Sequence, residues 1–491
     1  MTAIQLRDYQ LESIESVRDA IRKGLRRVLL NIPTGGGKTL TSASILRAAV
    51  AKGSRVLFVA HRKELIDQTV RTFARLGITQ TGVIRGSDPR RDPEAAIQIA
   101  SIQTLARRAK PRADVVVIDE CHRALASTYQ EHLFEAYPDA VILGLTATPC
   151  RSDGKPLGKA FQSLILGATY SGLIVAGHIV APVVYGTPMT PDLANVRTTA
   201  GDFNLEDLED AVNRSALIGN VVDEWKRRSE GRRTVVFAVS VAHSHALCEA
   251  FAAAGARAGH IDGTTAEDER AETLAKLERG DLEVVCNVGV LCEGWDLPAC
   301  KCLVLARPTK SLALYMQMAG RILRPWGELP PLILDHGGNV DRHGLPHVDR
   351  EWSLEASVKK SPASPSKACP ACFAYIAPSL PACPHCGHVF PKAAPAERAE
   401  LEVVEGVALV LRTLDGPDEQ LRFFRDLAKQ AETRGWKPGA VYMRFREKWG
   451  TEPPADWMRT IKRFAKKDPE WSAKLAARAA HEAATGLEVA S

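Results

Sequence analysis

The chain has 491 residues, 45% of them hydrophobic and 25% charged, which is length enough for about three domains and apolar content enough for each to bury a core. Wholesale disorder is thereby excluded. Lys and Arg outnumber Asp and Glu by 64 to 58, a formal net charge of +6; this permits a nucleic-acid partner and rules out a histone-like polybasic binder.

Met1 to Gln10 has no apolar run of the kind a secretory leader carries. From there, apolar β-rich runs alternate with helix-like runs. The first strands are expected at residues 27–32, 55–60, 96–101, 115–118 and 140–145. A second set is expected at 234–239, 258–261, 283–287, 302–306 and 332–335. Several are nearly continuous Val/Ile/Leu runs, as strands covered on both faces of a parallel sheet require. The pattern predicts an α/β chain with two doubly wound parallel-sheet domains in tandem, over residues 1–186 and 187–350.

Residues 163–186 contain no Asp, Glu, Lys or Arg. Length alone would suit a membrane span, but Gly167, Gly172, Gly177, His178 and Pro182 point to buried inter-domain chain, so no membrane association is expected. A Pro/Ser-rich linker follows at 351–368, then a cysteine-rich module at 369–391 and a helical, aromatic and basic module at 400–491. Of the 11 cysteines, four form two tight pairs and seven are scattered. That usage suggests a reducing compartment, the cytoplasm, over a disulfide framework.

The run Pro33-Thr34-Gly35-Gly36-Gly37-Lys38-Thr39 follows a strand and precedes an apolar helix. Consecutive glycines let backbone N–H groups curl around phosphate oxygens. Lys38 supplies a point charge for the β/γ-phosphates of ATP, Thr39 a hydroxyl for Mg²⁺, and the helix N-terminus adds its positive end. Ile32 stands where the strict eight-residue motif has its first glycine. The buried run 115–118 ends in Asp119-Glu120-Cys121-His122; Asp119 is suited to the Mg²⁺ shell and Glu120 to polarising the attacking water, the two tasks that phosphoryl transfer needs.

Taken in order, Leu6-Arg7-Asp8-Tyr9-Gln10, the Gly-rich loop, the Asp-Glu-Cys-His box, Thr146-Ala147-Thr148 and the run Gln317 to Arg324 resemble a superfamily-2 helicase or translocase of the DEAD/DEAH type. The resemblance covers about residues 4–340 and implies two RecA-like domains. It makes Gln10 the adenine-reading residue with Arg7 in support, and Thr146 and Thr148 the pair that couples hydrolysis to strand movement. Gln317 belongs to the same catalytic motif as Arg321 and Arg324, which become arginine fingers, and Gly294 with Asp296 senses nucleotide from the second domain. Arg62, Gln103, Thr104, Thr264 and Arg270 fall where the family contacts the nucleic-acid backbone, contacts that position a strand without reading its sequence.

Cys369-Pro-Ala-Cys372 and Cys383-Pro-His-Cys386-Gly387 form two C-x-x-C knuckles, a zinc-ribbon pattern in which four cysteines hold a structural Zn²⁺; the alternative reading is a redox dithiol. In the tail, Phe423, Phe424, Trp436, Tyr442, Phe445, Trp449, Trp457 and Phe464 are interleaved with basic residues. Such a pattern builds either a small helical core, the reading favoured here, or a base-stacking surface. Two RecA-like domains followed by a cysteine module resemble the bacterial and phage RadD-like DNA-repair ATPases, which implies single-stranded or branched DNA as partner and a single-stranded-DNA-binding protein as another. A restriction-type motor subunit, an RNA helicase and a non-catalytic nucleic-acid scaffold are the alternatives.

Overall fold

The computed structural model describes residues 6–151, 156–292, 294–295, 297–355 and 366–390, and in the tail 423–424, 426–427 and 438–449. Residues 1–392 form one compact unit and residues 393–491 a second.

The first unit holds two parallel sheets. In chain order its first strands are β1 (Arg27–Asn31), β2 (Val56–Ala60), β3 (Thr81–Ile84), β4 (Ile97–Ser101), β5 (Val115–Asp119), β6 (Val141–Thr146) and β7 (Ser163–Leu166). They lie side by side as β3-β4-β2-β5-β6-β1-β7. The second sheet takes β8 (Val183–Tyr185), β11 (Arg233–Phe237), β12 (Ala258–Ile261), β13 (Val284–Asn287), β14 (Cys300–Leu305) and β15 (Leu332–Asp335), in the order β12-β13-β11-β14-β15-β8. A two-stranded ribbon, β9 (Thr198–Thr199) with β10 (Asp202–Phe203), precedes the second domain's helices.

Helices cover both faces of each sheet, so the central strands are apolar throughout: all five residues of β2 and all six of β14 are buried. Helix α1 (Asp8–Arg22) turns Ile14, Val17 and Ala20 inward. Helix α2 (Lys38–Val50) follows β1, and α3 (Lys63–Arg75) buries Leu65, Ile66 and Phe73, the last edge-on to Phe58 of β2 at 5.7 Å.

All ten expected strands are present, each within two residues of its expected ends. Within the two parallel sheets, the three strands that were not expected, β3, β7 and β8, are edges of three or four residues. The uncharged stretch 163–186 differs from its expectation as continuous buried chain. It contributes β7 to the first sheet, a short helix (Tyr170–Val175) and β8 to the second sheet. Leu166 and Val175 are 53% and 90% exposed, because an edge strand and a one-and-a-half-turn helix each have a face that nothing covers. No helix among the described residues is long and apolar enough to cross a membrane.

The cysteine module is a hairpin, β16 (Lys367–Ala368) with β17 (Tyr375–Ile376), held on β8 by backbone and side chain. Gly186 N–H donates to Phe373 O at 2.9 Å, Tyr185 bridges Ala374, and Arg228 stacks on the Tyr185 ring at 3.9 Å while donating to Cys372 O at 2.9 Å. In the second unit, helix Pro438–Trp449 buries Val441 and Phe445, with Phe424 edge-on to Phe445 at 5.9 Å. The described part of the tail therefore uses these aromatics as core. Trp436, Trp457 and Phe464 lie outside the described residues.

Candidate active site and nucleic-acid interface

Parallel sheets place every strand's C-terminal end on one edge, where ligands of doubly wound folds bind. On that edge of the first domain, β1 runs into the Gly-rich loop and β5 into the acidic box, with β6 between them. Gly35 and Gly37 adopt φ of +88° and +81°, a region that L-residues enter at a steric penalty. A Cβ on Gly36 would come within 2.5 Å of Ile32, and one on Gly37 within 2.5 Å of Gln10 Nε2. The loop is thus a cradle of backbone with little room for side chains, which fits a triphosphate.

Asp119 and Glu120 are 6% and 7% exposed. Glu120 is one of four described non-glycine residues at positive φ, at +50°, a strain of roughly 1–3 kcal/mol. The twist lets its own N–H donate to Asp119 Oδ1 at 3.0 Å and swings its carboxylate towards Lys38, whose Nζ lies 4.0 Å from Glu120 Oε1 and 3.5 Å from Ile32 O. His122 Nδ1 is 3.4 Å from the other Glu120 oxygen. The hard oxygens of Thr39, at the start of α2, and Asp119, at the end of β5, are the donor type Mg²⁺ takes. Burial and the neighbouring Glu120 and Asp119 carboxylates push the Cys121 thiol far up, so it stays protonated packing.

Thr146 and Thr148 close on each other: Thr148 N–H donates to Thr146 Oγ1 at 3.1 Å, and that hydroxyl donates to Thr148 O at 3.0 Å. Asn31 at the end of β1 donates to Thr146 O at 3.2 Å, so this turn is tied to the root of the phosphate loop. Gln10, 1% exposed, donates from Nε2 to Gly36 O at 3.2 Å and accepts from Arg7 N–H at 3.0 Å. Arg7 reaches not into the loop but to the Tyr9 hydroxyl, at 3.0 Å. The sequence placed Tyr9 within the first motif but gave it no role of its own.

The second domain closes directly on this cradle. A Cβ on Gly320 would meet Thr34 at 2.7 Å, one on Gly35 would lie 3.9 Å from Arg324 Cγ, and Val180 N–H donates to Leu323 O at 2.7 Å. Arg324 is largely buried, and burial pulls its guanidinium below the ordinary arginine range. Arg321 donates to Trp295 O at 2.8 Å and Cys292 O at 2.5 Å, stapling the loop that carries Gly294. Gly294, at φ +74°, sits against Glu64: a Cβ there would come within 2.8 Å of Glu64 Cβ. Asp296 lies outside the described residues. Gln317 is 6% exposed, and its Nε2 finds no hydrogen-bond partner among the described residues.

The residues expected to meet the strand fall beside this cleft, and each has partners within the protein. Arg62 donates to Gly289 O at 3.3 Å across the domain gap. Arg270 pairs with Glu64 at 2.8 Å and also donates to Asp262 O and Thr265 O. Lys63 pairs with Glu267 of the second domain. Gln103 donates to His61 O at 3.0 Å. Thr104 packs its hydroxyl against Ser101 and Gly86 N–H. Thr264 donates to Asp262 Oδ1 at 2.7 Å, a contact that heads those holding the Asp262 carboxyl well below the usual carboxylate range. Sequence reasoning missed the acidic partners Glu64 and Glu267.

In the cysteine module the four Sγ atoms of Cys369, Cys372, Cys383 and Cys386 lie within 4.8 Å of one another, with Cys369–Cys386 and Cys372–Cys383 each at 3.6 Å. A tetrahedron of roughly 2.3 Å Zn–S bonds has edges of about 3.8 Å. The cluster therefore fits Zn²⁺ in a closed site of four thiolates. Phe373 and Gly387, each directly after a second cysteine, turn at φ +62° and +75°, which bends both knuckles inward. The seven other cysteines form no disulfide among the described residues; all but Cys248 are buried.

Residues 3–151 match the family described as type III restriction enzyme, res subunit, and residues 214–325 match the helicase conserved C-terminal domain. A 51.5 kDa protein of a Lactococcus phage (isolate 7-9) is 33% identical over 334 residues, covering 68% of this chain and 71% of its own length. IRC3 of Saccharomyces cerevisiae, named as a candidate ATP-dependent helicase, is 28% identical over 339 residues, 65% of this chain and 49% of its own. The chain thus spans about half the length of the yeast relative. The ATP-dependent type ISP restriction-modification enzyme LlaBIII, solved bound to DNA, shares the fold at a TM-score of 0.51 and 16% identity, covering 67% of this chain and 27% of that one. Two RecA-like domains, each matched in sequence and in the expected order, close a Gly-rich loop and an Asp-Glu pair against an arginine-bearing turn, and on that ground the chain belongs to the superfamily-2 helicases.

Proposed function

We propose that this helicase is a DNA-stimulated ATPase that translocates on, unwinds or remodels single-stranded or branched DNA at replication or repair intermediates. The observation that carries the reading is the closed cleft: Gly320 and Arg324 of one domain pack on Thr34 and Gly35 of the other. Mg²⁺ and ATP, when bound, supply the charge compensation and the transferable phosphoryl group. Lys38 and the loop N–H groups hold the phosphates, Asp119 and Thr39 hold the ion, and Glu120 orients the attacking water. Arg324, with Arg321 and Gln317 behind it, completes the site only while the domains are closed. Opening and closing then moves Arg62, Gln103 and Thr104 relative to Thr264 and Arg270 along a strand, with little sequence preference and strong salt dependence.

DNA is favoured over RNA because LlaBIII, which shares the fold, was solved bound to DNA. The four-cysteine module after the two motor domains supports kinship with RadD-like repair ATPases, with zinc in a structural role, a single-stranded-DNA-binding protein as partner and work in the cytoplasm. The match of residues 3–151 to a restriction-enzyme subunit favours one second reading, a motor that serves a cleaving partner.

The test is ATP hydrolysis with no nucleic acid, single-stranded DNA, forked DNA or RNA, beside Lys38→Ala. Strong stimulation by DNA, abolished in the variant, is the expected result. Stimulation by RNA alone overturns the DNA reading, and absence of turnover under every condition overturns the motor.

A further inference from the structure

The Gly36 carbonyl accepts two hydrogen bonds from α1, from the Tyr9 hydroxyl at 2.7 Å and from Gln10 Nε2 at 3.2 Å. Behind Tyr9, Arg7 Nη1 donates to the same hydroxyl at 3.0 Å. That second bond commits the hydroxyl's own proton to Gly36 O, because a guanidinium can only donate. The relay therefore runs one way, from Arg7 through Tyr9 to the phosphate loop.

The peptide between Gly36 and Gly37 is planar and trans, so its N–H points opposite to its C=O. Anchoring the Gly36 carbonyl against α1 aims the Gly37 N–H away from α1. Glycine at 36 and 37 gives this peptide no rotational preference of its own, and Gly37 is in addition at positive φ. An external anchor is what a loop of three glycines lacks.

From this geometry we infer that Tyr9 is a positioning residue of the ATPase: its hydroxyl, steered by Arg7, sets the orientation of the Gly36–Gly37 peptide and so presents a backbone donor to the nucleotide phosphates. The inference rests on the ATPase reading above. It also reassigns Arg7, expected to support adenine recognition, to the phosphate loop.

The decisive variant is Tyr9→Phe, which removes the hydroxyl and keeps the ring against His178, 6.0 Å away. A lost loop anchor acts on phosphates and ignores the base. The KM for ATP and for GTP should rise by the same factor, about 3- to 10-fold, and inhibition by inorganic tripolyphosphate should weaken in parallel. The thermal midpoint without nucleotide should stay put. Arg7→Ala should shift the same three quantities in the same direction by less, and add nothing to Tyr9→Phe in the double variant. A change confined to ATP would make Tyr9 a base contact and overturn the inference, as would unchanged values for all three ligands. A fall in midpoint with no change in tripolyphosphate inhibition would assign the hydroxyl to stability alone. Wild-type protein that binds these ligands without hydrolysing them would sink the ATPase reading and leave the Tyr9 test intact, because tripolyphosphate affinity can also be read from displacement of a fluorescent ATP analogue.

Discussion

The two sides of the inter-domain cleft are built on different principles. On the nucleotide side the working parts are backbone and deeply buried side chains: three glycines, two of them with no room for a Cβ, two carboxylates at a strand end, and an arginine turn packed on the loop. On the strand side the working parts are half-exposed charges that neutralise one another across the gap, Arg270 with Glu64 and Lys63 with Glu267. The nucleotide side is fixed by covalent geometry and packing. The strand side is held by ion pairs that a phosphate backbone can replace, since partly exposed pairs of this kind contribute little on their own.

That contrast is best broken where the effect is largest. Glu120→Gln keeps the shape of the side chain and removes its charge; hydrolysis should fall by roughly 10³-fold or more while a fluorescent ATP analogue still binds. Retained turnover would mean that Glu120 does not orient the water. Arg324→Ala should lower kcat by about 10³ with little change in nucleotide affinity. Arg321→Ala should in addition weaken nucleotide binding, because it releases the carbonyls of Cys292 and Trp295; equal kinetic profiles for the two variants would erase the distinction drawn between them.

Acid probes neither side of the cleft but the second domain beneath it. Burial holds His243 and His343 at about 4 and His336 at about 3, below the 6.5 of an unfolded histidine. Between those values the unfolded chain binds more protons than the folded one, so stability is full above pH 6.5 and declines as pH falls towards 4. Each histidine should cost about 2 kcal/mol by pH 5, read as a lower melting temperature. His243→Gln should flatten part of that slope, and an unchanged slope would remove His243 from the account.

The smallest expected effect sharpens the comparison most. Glu64→Gln combined with Glu267→Gln removes the acidic partners of Arg270 and Lys63 while keeping the shape of both side chains. Affinity for single-stranded DNA should rise several-fold at low salt, the gain should shrink at high salt, and KM for ATP should stay within twofold. A shifted KM would show that the pairs also set nucleotide closure.

How much of this was legible follows the same divide. The Gly-rich loop and the acidic box could be read because backbone contact with phosphate and metal chemistry restrict residue type and spacing at once. Nine of the ten expected strands lie inside their sheets and could be read because burial on both faces leaves apolar runs; the tenth, β12, is an edge strand. Strands β3, β7 and β8 could not, because edges of three or four residues carry no such run, and β7 is only partly buried along its length. Arg62 and Arg270 were legible as basic residues in the right place, but not their partners: a glutamate in the first turn of α3 reads like any solvated helix charge. Tyr9 was invisible for the opposite reason, since a tyrosine on an amphipathic helix is expected to pack, and only the 2.7 Å contact with Gly36 reveals its hydroxyl's role.

The stretch joining the domains donates an edge strand to each sheet, β7 to the first and β8 to the second, and the residue after β8 carries the cysteine module. The seam between the motor's halves is therefore not a place where chain can be exchanged freely. A recombinant first domain ending at residue 186 would carry off the strand that caps β15, and a second domain beginning at 187 would lose both that cap and the Gly186 amide that anchors Phe373. The bare β15 edge would then be a template for pairing with foreign strands. Shuffling of motor halves among such enzymes should cut ahead of residue 183, where the exchanged piece keeps its own border.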